Sequence, residues 1–499
     1  MEEVLRSVGL FKPEIALTAG LLLVVIVDSI GAAWRNAAVR GVTVATLLAA
    51  LVLAFEVQAS GATGTLFSGM VAVDPLGGFF KVILVLASLL VVVVFSFRNS
   101  RELHGLGHGE LHSLILALTL SNLLLATAND IVMLYLALEM VSITSYVLVA
   151  YLKGDRMSNE ASIKYLLFGA VSTGSMLYGF SLLYGLTGTT SLPLIQQFLA
   201  SGIPEANRFA VYLITLLVMA GFGFKIAAVP FHFWCPDVYQ GAATPVTALL
   251  SVAPKAAGFA IVMRFFFGTM SVPITGPWDL AGIIDWQAVL VVLSVATMTL
   301  GNVAALTQND MKRLLAYSSI AHAGYIMMGI VALSDDGARS VLIYLFVYLF
   351  MNLGAFLVVT LVHLHDGTFD LRDYPGLYRR APLLTLVMAL FMLSMVGIPP
   401  LVGFLGKFYV FGAVVALGPQ YYWFAAVGAV NAAIAGFYYM RILKVMIMDS
   451  GNEDRPPLNL AFTDRAWLLL FAAANLLPVL FWGRIDEWAR GALVMYAGR

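Results

Sequence analysis

Apolar residues run along this chain in blocks of about twenty, set apart by short polar stretches. A helix crossing roughly 30 Å of hydrocarbon needs about 20 such residues, so each block reads as a membrane span. Seven spans are expected near 14–34, 38–57, 76–97, 111–128, 130–152, 161–186 and 208–229. Seven more follow near 243–268, 284–306, 313–333, 338–363, 383–415, 420–447 and 465–486, which makes about fourteen. The count is weakest at the break near Pro399. No stretch alternates as a membrane barrel strand would, so the expectation is an all-α integral membrane protein without strands. The longest polar segments, 187–207 and 364–382, read as loops, and no soluble domain interrupts the chain. Glu2 and Glu3 precede the first span where a signal peptide would carry bases, and no small-residue cleavage site follows it. It reads as a retained helix.

Two five-helix series share one coarse layout. Helices 4–8 cover 111–268 and helices 9–13 cover 284–447, each with a proline-interrupted helix fourth in its series, the seventh and twelfth overall. Three helices within 1–110 precede them, and one, at 465–486, follows. Because five is odd, a second copy would insert upside down. Inverted repeats with broken helices are a common transporter architecture, with the working site near the midplane.

Composition agrees with lipid as the surroundings. The 499 residues are 61% hydrophobic and only 11% charged, where a soluble domain carries about 25% charged residues. Lys plus Arg equals Asp plus Glu, at 28 each, so the net charge gives no pointer to nucleic acid. The bases are unevenly placed. Connections after odd-numbered spans carry Arg35, Arg40, Arg98, Arg101, Lys153, Arg156, Lys312, Arg313, Arg372, Arg379, Arg380, Arg441, Lys444 and Arg455, while the others carry little beyond Arg208 and Arg339. The connection after the seventh span has neither Lys nor Arg. By the positive-inside rule the basic set faces the cytoplasm and both termini lie outside. The single cysteine, Cys235, rules out an internal disulfide and a cysteine-ligated iron–sulfur cluster. The seven histidines lack metal-ligand spacing, and the glycines at 185 and 188 read as an inter-helix turn. No metal, cofactor-binding or nucleotide site is expected on this chain.

Charges inside the spans are the candidate chemistry. A charge at the bilayer centre costs at least ~2.5–3.5 kcal/mol on insertion scales, and those that remain face a bundle interior or a water path. Lys225, Lys255 and Lys407 sit well inside spans, and Glu139 sits mid-helix among Leu136, Leu138, Met140 and Val141. Lys225 lies five residues before Pro230, which cannot donate to the carbonyl of Ile226. A helix break in lipid is tolerated where protein or water satisfies it. A lysine beside such a break suits a proton site, and it also suits a plain bond to the freed carbonyl. Lys407 has comparable surroundings, with Pro399, Pro400, Gly403 and Gly406 before it. Lys255 follows Pro254 in a helix that also carries Arg264, which is expected to snorkel at the far end. Lys164 follows Glu160 by four residues, a surface pair or a further ion-path group. Burial lowers a lysine's pKa from ~10.4 and a nearby carboxylate raises it again, so a Glu–Lys pair has two proton-affinity states. Glu139, Lys225, Lys255 and Lys407, on helices 5, 7, 8 and 12, would form a relay if they line one plane.

The histidines carry less. His232, just after Pro230 and beside Trp234 and Asp237, is a relay group or a bond within the break. His322, with Ser318 and Ser319 one turn earlier, would hold water between the two halves or simply pack; His363 reads as polar trim near a helix end.

Three segments carry a resemblance: 136–142 around Glu139; 223–246, with Gly223-Phe224-Lys225, Pro230-Phe231-His232-Phe233-Trp234-Cys235-Pro236-Asp237-Val238-Tyr239-Gln240-Gly241-Ala242 and Thr244-Pro245-Val246; and Asp310-Met311-Lys312-Arg313-Leu314-Leu315-Ala316-Tyr317-Ser318-Ser319-Ile320. Together they resemble the antiporter-like subunits of respiratory complex I (NADH-quinone oxidoreductase) and of multisubunit cation/proton antiporters, over nearly the whole chain. Lys407 on the twelfth helix, where one branch of the family has glutamate, and the absence of a long lateral helix after the fourteenth, narrow the likeness. The family pattern of a helix-5 glutamate with lysines on helices 7, 8 and 12 falls on Glu139, Lys225, Lys255 and Lys407, and a helix-6 lysine falls on Lys164. Trp234-Cys235-Pro236 departs from the usual small residue before proline. The resemblance implies a proton-pumping membrane-arm subunit of NADH:quinone oxidoreductase in a bacterial inner membrane. FMN, iron–sulfur clusters and quinone would then be bound by partner chains. Its neighbours would be an antiporter-like subunit of the M type and small subunits of the K and J types.

Other readings compete with this one. A subunit of a Na⁺/H⁺ antiporter assembly or of a membrane-bound hydrogenase fits the same motifs, and the ion, H⁺ or Na⁺, stays open. A scaffold without an ion path would gain nothing from deep charges. A quinone-site subunit would need the paired histidines or cofactor motif that is missing.

Overall fold

The computed structural model describes residues 7–30, 34–95, 108–271, 285–451 and 455–493. Glu2, Glu3, Arg98, Arg101 and the edges of the first, third and ninth expected spans lie outside them. The chain opens with α1 (Lys12–Ser29) and α2 (Arg35–Ala59), then a small antiparallel hairpin, β1 (Gly64–Leu66) with β2 (Val71–Val73). No strand was expected there; strands of three residues are too short to leave an alternating pattern. The hairpin reverses through Phe67, Ser68 and Gly69, all with positive φ.

Next come α3 (Pro75–Val94), α4 (His108–Thr127), α5 (Ile131–Val149), α6 (Arg156–Thr187), α7 (Arg208–Ile226), α8 (Trp234–Gly241) and α9 (Thr244–Met263). The second series is α10 (Trp286–Ala305), α11 (Met311–Val331), α12 (Asp335–Asp366), α13 (Pro382–Val396), α14 (Val402–Val415) and α15 (Tyr422–Ile447), followed by α16 (Phe462–Leu476) and α17 (Trp482–Gly491). The stretch expected as the loop 187–207 holds a short helix, Leu192–Ala200, and the one at 364–382 holds single turns at Leu371–Asp373 and Leu377–Arg380.

Among the described residues twelve helices are long and apolar enough to cross a membrane. The 18-residue α1 carries Lys12, Glu14 and Asp28 near its ends and joins them as a crossing segment. Helices α13 and α14, of 15 and 14 residues, each fall short of ~30 Å at 1.5 Å per residue and cross only as a pair. Counting α1 and the α13–α14 pair with the twelve, the described residues hold fourteen crossing units, in line with the expected number. The expected single span 383–415 is two half-helices, because Pro399 and Pro400 supply no backbone N–H to continue the ladder.

Both breaks use a left-handed residue. α7 ends at Ala227 (φ 58), whose neighbour Ala228 returns its N–H to the Gly223 carbonyl at 2.7 Å. α13 ends at Gly397 (φ 93), whose N–H returns to Leu393 and Ser394. Val229–Pro230 and Pro399–Pro400 are cis.

Every residue of α9 is buried. It packs on α3, α4, α7 and α12, while α11 packs on α8, α10, α12 and α14. These two helices are the axis around which the rest is arranged, so their buried polar side chains must find partners inside the bundle.

One expectation fails here. Arg264 does not snorkel: it is buried and forks onto Asp74, with Nη1 and Nη2 at 2.7 and 2.8 Å from the carboxylate, while its Nε donates to the Ala126 carbonyl. Asp74 caps the start of α3, 190 positions away, so the partner was invisible from local sequence. A second buried ion pair, Lys81 with Glu14 at 2.8 Å, joins α3 to α1 and was not singled out from the sequence.

Candidate functional site: a buried polar line through the two half-helix breaks

Glu139 lies half-buried on α5, and the Tyr135 hydroxyl one turn earlier hydrogen-bonds its carboxylate. Lys225, in the last turn of α7, is buried, and its ammonium has no hydrogen-bond partner among the described residues. Among the described residues the Glu139 carboxylate is the opposite charge that acts on it, with no hydrogen bond between the two. Other groups brace the break: Trp234 Nε1 donates to the Phe224 carbonyl at 3.0 Å, and the Val229 N–H donates to Thr297 Oγ1 on α10 at 3.0 Å. Among the described residues the Lys225 ammonium bonds no carbonyl.

The centre of the line sits between α9 and α11. Lys255 Nζ donates to Ser319 Oγ at 2.5 Å, and the Tyr348 hydroxyl donates to the same oxygen at 2.8 Å. The Tyr239 ring of α8 lies 5.8 Å below the ammonium. A small cavity of about 10 Å³ is lined by Lys255, Ser319, His322 and Tyr348. His322 is buried with both ring nitrogens on tyrosines, Nδ1 with Tyr344 at 2.9 Å and Nε2 with Tyr439 at 3.1 Å. The Tyr439 hydroxyl also meets Ser318 at 2.5 Å. His322 shares that cavity with Lys255 and on its other flank packs against Tyr325, ring centroids 6.0 Å apart, the ring over which Lys407 lies.

Lys407 closes the line on α14. Its ammonium bonds the carbonyls of Met395 and Val396 at 2.9 and 2.8 Å, at the end of α13, and lies 4.6 Å over the Tyr325 ring. Here the lysine does occupy acceptors freed by the proline break, at the negative end of a helix dipole. Tyr325 continues outward to Asn302 at 3.0 Å, and Asn302 to Tyr438 at 3.1 Å.

Two weaker candidates stand off this line. Lys164, about two-fifths exposed, bonds Glu160 at 2.6 Å, the surface i,i+4 pair, and also Asp237 on α8 at 2.8 Å. His232 is buried with its ring bonded to the Pro230 carbonyl, a contact within the break, and its Nδ1 has no partner. His363, taken as polar trim, stacks on Phe369 with ring centroids 3.9 Å apart.

A family model described as "NADH:quinone oxidoreductase/Mrp antiporter, TM" matches residues 128–435. NADH-quinone oxidoreductase subunit N of Anaeromyxobacter sp. (strain Fw109-5) is 42% identical over 100% of this chain and 99% of that protein. The chain belongs to the subunit N family of NADH-quinone oxidoreductase. A second member, from Chloroherpeton thalassium, is 41% identical over 94% of this chain and 91% of its own length. A chain of Thermus thermophilus respiratory complex I with bound aureothin superposes with a TM-score of 0.78 at 30% identity, covering 95% of this chain and 98% of that one. Chains of an archaeal membrane-bound sulfane sulfur reductase (TM-score 0.85, 21% identity, 99% of each chain) and of the Dietzia Mrp complex (0.84, 19%, 98% of each) share the fold.

In this subunit N family member the tyrosines are what reading the sequence missed. Tyr325, Tyr344, Tyr348, Tyr438 and Tyr439 bond to the line or contact its charges, and all are buried. A usable signal existed. Tyr344 and Tyr348 stand one turn apart on one helix, and aromatic residues with a polar tip need a partner when buried. Asn302, in the last turn of α10, is a second missed polar group of the same kind.

Proposed function

We propose that this chain is a proton-translocating membrane-arm subunit of NADH:quinone oxidoreductase, moving H⁺ along Glu139, Lys225, Lys255, His322 and Lys407. The observation that carries the reading is the set of three buried lysines on α7, α9 and α14, with His322 lining the Lys255 cavity and packed on the Tyr325 ring that Lys407 covers. Four deep ionisable groups cost several kcal/mol each to insert, and moving charge is what repays that. Lys225, with no bond of its own, is the group free to change partners. When Glu139 is ionised and near, the ammonium is favoured; when the carboxylate is neutral or shielded, the proton passes on. The Lys255–Ser319–Tyr348 cluster and the His322 tyrosines offer hydroxyls, each both donor and acceptor, to carry it onward.

No redox centre is needed on this chain for that task. FMN, iron–sulfur clusters and quinone belong, in this reading, to partner chains, and quinone reduction there supplies the driving force. Partners are an antiporter-like subunit of the M type and small subunits of the K and J types in a bacterial inner membrane, with both termini outside. A neighbour is also asked for by Glu139 itself, which shares its outer face with Leu136 (51% exposed) and Ile143 (58% exposed). A half-buried carboxylate against lipid would be costly, and a protein partner relieves that.

NADH-driven acidification of inverted membrane vesicles tests the reading. Lys255→Met is expected to abolish it with the complex assembled, and in the unaltered protein a protonophore, not a sodium ionophore, collapses the gradient. Acidification that persists in the variant, or a gradient dissipated by the sodium ionophore alone, contradicts it.

A further inference from the structure

Helix α8 is only eight residues long, stands between the α7 break and α9, and carries Tyr239 toward Lys255. So short a segment gains little stability from its own ladder, and its position is set by what grips it. Three cations do so at one end. Asp237 bonds Lys164 of α6 through Oδ2 at 2.8 Å and Arg313 of α11 through Oδ1 at 2.5 Å. Arg313 also donates to Gln240 at 3.1 Å, and its neighbour Lys312 donates to the Ala242 carbonyl at 2.5 Å. Beside this, Trp234 stacks on Tyr165, the residue after Lys164, at 4.4 Å. Among the described residues Asp237 is therefore the carboxylate shared between a helix of the first series, α6, and a helix of the second, α11. The same α11 presents Ser319 to Lys255 from its other side.

Resting on the proton-path reading above, we propose that Asp237 is a positioning residue, a latch that holds α8 between α6 and α11 and so fixes how Tyr239 and Ser319 enclose Lys255. Lys164 then acts as a fixed cation of this latch and carries no proton. Its two carboxylate partners and its partial exposure suit a held charge better than a dry relay member. The two roles differ in chemistry: a latch needs a permanent positive charge, whereas a relay needs a group that releases its proton. Arginine supplies the first and not the second, since it stays protonated in proteins.

The test compares Lys164→Arg, Lys164→Met and Asp237→Asn in the assembled complex, by NADH-driven acidification of inverted vesicles alongside NADH:quinone turnover. The latch predicts that Lys164→Arg pumps nearly as the unaltered protein does, while Lys164→Met and Asp237→Asn lose pumping several-fold. It also predicts that the double variant Lys164→Met with Asp237→Asn is no worse than Asp237→Asn alone, because both act through one contact. Lys164→Arg as impaired as Lys164→Met, or Lys164→Met as active as the unaltered protein, overturns it. Should Asp237→Asn block assembly, the arginine-against-methionine comparison decides alone. Lys225→Ala in parallel reads the proton path independently, so failure of that reading is seen there and not in the latch variants.

Discussion

Lys225 and Lys407 occupy comparable positions beside proline breaks and are held in opposite ways. Lys407 is bonded to two carbonyls, and Lys225 to none. From sequence, either arrangement was open for both, because a break supplies a carbonyl and does not say which donor takes it. At the first break the Trp234 indole bonds the Phe224 carbonyl, and the Lys225 ammonium bonds none among the described residues. At the same scale, Arg264 was misread for want of a partner 190 positions away. The fork onto Asp74 gives a direct prediction. Arg264→Ala leaves a carboxylate buried and unpaired, a loss of about 3–5 kcal/mol. The amount of this chain in the assembled complex, read on a native gel, should fall sharply, and the double variant Asp74→Asn with Arg264→Met should regain part of it. Normal assembly of Arg264→Ala would mean the pair is dispensable.

At the scale of elements, the spans were legible because hydrocarbon thickness dictates their length, and fourteen crossing units follow from counting apolar blocks. Their edges were less so. α1 begins at Lys12, two residues before the expected start at 14, and the hairpin Gly64–Val73 has strands too short for any periodic signal. Pro230 and the pair Pro399–Pro400 marked the breaks, but not how the half-helices meet. At the second break Gly403, in the first turn of α14, lies against the Ser394 carbonyl of α13, so that a Cβ added there would collide with backbone. Gly403→Ala is expected to push the half-helices apart at about 1–3 kcal/mol, and to shift Lys407 off the Met395 and Val396 carbonyls. Assembled complex with reduced pumping should be seen in vesicles, and full pumping would show that the break tolerates the added methyl.

Across the whole molecule, the proposed path is a line of ionisable groups on α5, α7, α9, α11 and α14 inside a shell of apolar surface. The charged members of that line were legible, since a lysine in hydrocarbon stands out against its neighbours. The hydroxyls between them were not, because Ser and Tyr are common in helices and only packing reveals which ones converge on Lys255 and His322. Glu139 and Lys225, on separate helices and far apart in sequence, are joined only by charge across a gap. That gap is the central claim, since a pair that is not bonded can change its separation cheaply. The measurement that tests it most directly is NADH-driven proton pumping in inverted membrane vesicles for Lys225→Ala and Glu139→Ala, with NADH:quinone turnover and assembly followed in the same membranes. Loss of pumping and of coupled turnover in both variants, with the complex intact, is the predicted result. Unchanged pumping in both would contradict the account and leave these charges as structural polar groups.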